Sequence, residues 1–73
     1  MNITEIRTAA RIAALTFFNL KASGTIFNLS DLYDFCECNH DATAENGARW
    51  GVLQARHKGL IAHTANRAEY IIL

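Results

Sequence analysis

Three groups of residues in this sequence have types and spacings that could do chemistry. Cys36-Glu37-Cys38-Asn39-His40 places two thiols and an imidazole within five residues, the raw material of a zinc site. Structural zinc sites draw ligands from pairs separated by about two to four residues. Here a single residue separates the cysteines, and a fourth ligand would have to come from His57 or His63. On a helix, residues two apart diverge by about 200°, so the expectation is no metal and no disulfide, with Cys36 packed and Cys38 more exposed. Asp31, Asp34, Glu37 and Asp41 bring carboxylates close in sequence, but Asp31 and Asp34 lie where the first turns of a helix favour negative charge. Ser23, Ser30 and the histidines form no triad and no glycine-rich phosphate loop occurs, so neither a catalytic residue nor a cofactor is expected. The third group is basic and polar: Arg49, Arg56, His57, Lys58 and Arg67, with Asn46 and Gln54 among them. Arginine grips phosphate or pairs bidentately with guanine, asparagine and glutamine pair with adenine, and an arginine in a turn suits a narrow minor groove.

The elements that must position these groups follow from periodicity and caps. Ile6, Ala9, Ala13, Phe17 and Leu20 recur at spacings of three and four, which predicts a helix over 3–21, with Asn2 and Glu5 capping its start and Ser23-Gly24 ending it. Thr25-Ile26-Phe27 is a short β-prone run, and Asn-Leu-Ser-Asp from Asn28 opens a second helix over 29–38 that Asn39-His40-Asp41 closes. A third helix over 43–58 carries Ala44, Gly47, Ala48, Gly51 and Ala55 as a stripe of small residues, with Asn46, Trp50, Leu53 and His57 nearly opposite. Two glycines inside a helix cost about 1 kcal/mol each against alanine, a cost that close packing on the alanines of the first helix would offset. Segments 60–64 and 68–73 flank a polar turn in which Asn66 suits positive φ, and they predict a hairpin. The expected core is Ile6, Ala13, Phe17, Leu20, Ile26, Leu32, Phe35, Val52, Ile61, Tyr70 and Ile72.

Seventy-three residues, 51% of them hydrophobic, fit one domain spanning 1–73 with a small core and a thin stability margin. No apolar run is long enough to span a bilayer, and the opening MNITEIRTAARI lacks the layout of a signal peptide, so a cytoplasmic location without membrane contact is expected. A net charge of zero argues against a strongly basic nucleic-acid binder. The charge is nonetheless segregated: +2 over 1–30, −5 over 31–46 and +3 over 47–73. Basic ends around an acidic middle are either a solvated patchwork or one basic surface with the acidic segment turned away.

Helix, short strand, helix, helix and closing hairpin is an order that resembles the winged helix-turn-helix family, and it accounts for the whole chain. The most specific segment is Val52 to Ile61, where a helix with apolar Val52 and Ala55 runs into Gly59-Leu60-Ile61 and straight into a hairpin. The resemblance implies a mainly α fold with a small β-hairpin, in which the third helix enters the major groove of DNA and the hairpin, about 60–73, is the wing with its tip at Ala65 to Arg67. It implies a small sequence-specific DNA-binding regulator of transcription, of bacterial or phage type. Asn46, Arg49, Gln54, Arg56, His57 and Lys58 would be available to the groove and Arg67 to the wing contact. A homodimer on double-stranded DNA is expected, because one short module makes few phosphate contacts. Winged helices also serve as protein-interaction modules, partner-binding or inhibitory. On that alternative Trp50 and Leu53, on the face turned from the small-residue stripe, form the protein contact; a third possibility is that Trp50 folds over the hairpin or the second helix as core.

Overall fold

The chain enters its first helix through Asn2, whose side-chain oxygen accepts from the Glu5 amide at 2.8 Å while its side-chain amide donates to the Glu5 carboxylate at 3.0 Å. The computed structural model describes residues 2–73. In chain order the elements are α1 (Ile3–Leu20), β1 (Ile26–Asn28), α2 (Leu29–Phe35), α3 (Ala42–His57), β2 (Ile61–His63) and β3 (Glu69–Ile72). The protein is thus mainly helical with one small antiparallel sheet of strand order β1-β3-β2. Among the described residues no helix is long and apolar enough to cross a membrane.

The helices meet where the small residues predict. A Cβ on Gly47 would collide with the Arg7 carbonyl oxygen and lie 2.8 Å from the Arg7 Cα; one on Gly51 would lie 2.7 Å from the Ala14 Cβ and 3.2 Å from the Arg11 carbonyl oxygen. Gly47 thus sits against Arg7 and Gly51 against Arg11 and Ala14, so α1 and α3 run the same way with their backbones nearly touching. This seat sets the rotation of α1. The buried positions are Ala10, Ala14, Phe17 and Phe18, about a quarter-turn round from the expected stripe. Ile6 and Ala13 are therefore only half-buried, Leu20 is 67% exposed, and Phe18 takes a core place. Lys21 ends α1 in an extended conformation; Gly24, at φ +91°, serves the turn into β1 instead of the helix cap.

The sheet closes the other end of the core. Phe27 pairs with Tyr70 and Ile26 with Ile71, while Ile61 pairs with Ile72. A three-residue strand has one inward position, and Phe27 occupies it; Ile26, expected in the core, is 56% exposed on the outer side. Phe17 packs edge-on against Phe18, Phe27 and Phe35 with ring centroids 5.1 to 5.9 Å apart, and Phe27 stacks on Tyr70 at 5.5 Å. Phe35 is also a correction: Leu32 holds the inward position of the short α2, and Phe35, three residues on, leans on Phe17 at the rim of the core and is 40% exposed; α2 stops there and does not run on to 38. The β2–β3 loop is tied by the Glu69 carboxylate, which accepts from Thr64 Oγ1 at 2.7 Å and Asn66 Nδ2 at 3.3 Å. Held this way, Asn66 has no need of positive φ and does not adopt it.

The α2–α3 turn is the most constrained stretch of backbone. The Cys38 amide donates to the Tyr33 carbonyl at 3.1 Å and the Glu37 amide to the Asp34 carbonyl at 3.2 Å, a paired closure that needs a left-handed residue between them. Glu37 is that residue, at φ 54°, and Asn39 and His40 follow at 51° and 61°. The same closure tucks Cys38 inward at 2% exposure while Cys36 stays half-buried, the reverse of the expectation from helical spacing. Asp41 then caps α3, accepting from the Thr43 amide at 2.8 Å.

Two stability measurements check this account. Helix propensity alone would make Gly47→Ala stabilising by about 1 kcal/mol. The collision with the immovable Arg7 backbone reverses the sign, and urea denaturation should show a loss of about 1–3 kcal/mol. Glu37→Gly should go the other way, raising stability by about 0.5–1 kcal/mol as the left-handed strain is relieved.

Candidate functional site

With one face of α3 seated on α1 and the sheet, its opposite face is left to solvent. Gly47, Ala48, Gly51, Val52 and Ala55 are buried; Arg49, Trp50, Leu53, Arg56 and His57 are exposed. Trp50 is 64% and Leu53 50% exposed, which removes the reading of Trp50 as core. Asn46, Arg49, Trp50 and Leu53 line one shallow cleft of ≈ 180 Å³. Within it the Arg49 guanidinium donates to Asn46 Oδ1 and, at 3.0 Å, to the Tyr33 hydroxyl on α2. These bonds hold the arginine across the surface of α3 and leave its remaining N–H groups free for an incoming acceptor.

The other residues singled out from sequence fall in three places. Arg56, His57 and Lys58 cluster at the last turn of α3, with Lys58 as its C-cap, where positive charge also answers the helix dipole. Gln54 does not join the outer face: half-buried on the α1 side, it accepts from the Arg11 guanidinium at 3.2 Å. Arg67 is exposed in the β2–β3 loop, beside His63 and Thr64, apart from the α3 cleft.

A second group comes from α1. Thr4, Arg7, Thr8 and Arg11 form one side of a cleft of ≈ 300 Å³ whose other side is Trp50. Their spacing of three, one and three is a helix face, and that signal was open to view in the sequence. What it lacked was the partner, since only the α1–α3 seat brings these side chains beside Trp50. The α2 flank of α3 is opposite in character: Asp34, Glu37 and Glu45 line a third cleft together with Tyr33 and His40. Among the described residues no group of three His, Cys, Asp or Glu side chains could hold a metal ion.

Compared with known proteins, the chain matches no family model, no curated protein and no solved structure. Its functional reading therefore rests on its own geometry.

The thiols have a chemistry of their own. Burial, and then the neighbouring Cys38 sulfur, push the Cys36 thiol up to about 11. Burial pushes Cys38 up as well, helped by the carboxylates of Glu45 and Asp41. Both thiols are protonated at neutral pH and are poor nucleophiles. A thiol that holds its proton more tightly when folded favours the folded state less as pH rises through its unfolded value. The Cys36 contribution is full below about pH 9 and is lost as pH rises toward about 11. The urea midpoint should drop over that interval, and a Cys36→Ala/Cys38→Ala variant should show a shallower drop.

Proposed function

We propose that this chain is a winged-helix DNA-binding regulator, with α3 laid in the major groove and the β2–β3 loop as the wing. The observation that carries the reading is the open face of α3: its inner side is sealed against α1, while Asn46, Arg49, Arg56 and His57 line the outer side and Lys58 ends it. The sheet order β1-β3-β2, with α2 and α3 between the first and second strands, supports the winged-helix arrangement, in which the closing hairpin lies beside the recognition helix. Arg67 is exposed in that hairpin and suits a backbone or minor-groove contact. Exposed Leu53 suits apolar contact with a thymine methyl group. A module this small acts as a homodimer on two half-sites, and a bacterial or phage regulator in the cytoplasm is the setting that fits.

The protein-interaction reading has an observation of its own. Two large apolar side chains at the centre of an otherwise polar face are what a protein contact uses as anchors. One set of measurements separates the two. Binding to a genomic fragment library at about 50 and about 200 mM salt should reveal fragments held tighter than random DNA, and Arg49→Ala/Arg56→Ala should weaken them at least tenfold, about 1–3 kcal/mol per lost base contact. Trp50→Ala should leave the melting temperature nearly unchanged, since the side chain is exposed. No fragment preference, together with loss of self-association or partner capture in Trp50→Ala, would transfer the assignment to protein interaction.

A further inference from the structure

The two flanks of α3 carry opposite charge, and that asymmetry fixes how a nucleic-acid strand could lie. On the α2 side, Asp34, Glu37 and Glu45 face one cleft and Asp41 caps the helix next to it. A phosphate strand there would meet several carboxylates and no arginine beyond Arg49, which is held across the outer surface of α3 by Asn46 and Tyr33. On the α1 side, the cleft of Thr4, Arg7, Thr8, Arg11 and Trp50 has no carboxylate in its lining. Arg11 is half-buried and anchored to Gln54 at 3.2 Å, so part of its ordering cost is met before any ligand arrives. The anchoring acceptor is a neutral amide, which leaves the full positive charge available. Arg7 projects one helical turn earlier, the Thr4 and Thr8 hydroxyls alternate with the two guanidinium groups, and the Trp50 indole N–H is a further donor.

We infer that the backbone of one strand of duplex DNA runs along the α1 flank of α3, its phosphates held by Arg7 and Arg11 with Thr4, Thr8 and Trp50 beside them. This rests on the DNA-binding reading of α3 and adds to it a second contact element and a polarity. Helix α2, which is acidic, is turned from the phosphates, and α1 takes the positioning role. Arginine is suited to it because its planar fork engages phosphate bidentately. The contacts fix orientation on the duplex and carry no sequence information.

The test is the salt dependence of binding to the tightest fragment from the library, for the full chain and three double variants. Removing two phosphate contacts should lower the slope of log K against log salt by about 2. Arg7→Ala/Arg11→Ala should therefore weaken binding to specific and random DNA alike and flatten the slope. Arg7→Lys/Arg11→Lys should restore most of the slope, since charge is kept. Arg49→Ala/Arg56→Ala should instead reduce the preference for the specific fragment. The sole tryptophan of the chain is Trp50, which borders both this cleft and the one beside Asn46, Arg49 and Leu53, so DNA lying along α3 should change the intrinsic fluorescence of the unsubstituted protein. If loss of the Gln54 bond unfolds the double alanine variant, Arg7→Ala alone, at an exposed position, should lower the slope by about 1. An unchanged slope in the Arg7 and Arg11 variants, with Arg49→Ala/Arg56→Ala still defective, overturns the strand placement and leaves the DNA reading standing. No salt-dependent binding by the unsubstituted protein overturns the DNA reading itself.

Discussion

Everything in this fold hangs on the approach of α1 to α3 at Gly47 and Gly51. With no Cβ at either position, the α3 backbone lies against Arg7, Arg11 and Ala14 at distances a side chain would forbid. The contact costs helix propensity twice, at about 1 kcal/mol each, and dispersion contacts offset this where the backbones lie together from Gly47 to Gly51 against Arg7 to Arg11, about one turn. Its geometric consequences outweigh its energy. It fixes the rotation of α1, which sends Phe17 and Phe18 toward the sheet and expels Leu20. It also leaves Leu53 on the solvent side of α3 and Trp50 exposed along its α1 edge.

From that rotation follows the separation of charge. A chain with no net charge still presents arginines on one flank of α3 and carboxylates on the other. The segregation visible along the sequence, basic ends around an acidic middle, becomes a segregation in space because α1 and α2 occupy opposite flanks of the same helix. Overall neutrality weakens long-range attraction to any polyanion, while short-range fields around individual clefts stay strong.

The sequence carried most of the element order and the central helix contact, because caps, glycines and small-residue stripes are local signals. Asn28 and Asp31 form the reciprocal cap expected of them, Gly59 ends α3 with φ 73°, and Gly47 and Gly51 meet α1 as their spacing implies. What it could not supply was rotation within a tolerant pattern. α1 has apolar residues nearly all round, so several stripes were equally consistent with burial, and the choice depended on a partner some forty residues away. Helical spacing misplaces Cys38, because the left-handed turn at Glu37 takes that residue out of the helix. For the candidate site, the residues of α3 were legible, but Arg7 and Arg11 were not: nothing local marks a helix face as half of a cleft. The withdrawal of Gln54 from the outer face likewise depends on Arg11, which periodicity does not reveal.

The apposition of Arg7 with Gly47, and the pairing of Ile26 with Ile71, also bear on how the chain reaches this state. Each joins residues more than half the chain apart, so neither helix seat nor central strand pair forms without first closing a long loop and losing the entropy that closure costs. A mainly helical protein of this size would ordinarily assemble from near neighbours. These two long-range contacts raise its contact order above that of a simple helical bundle, and folding is slower than a bundle's to that extent.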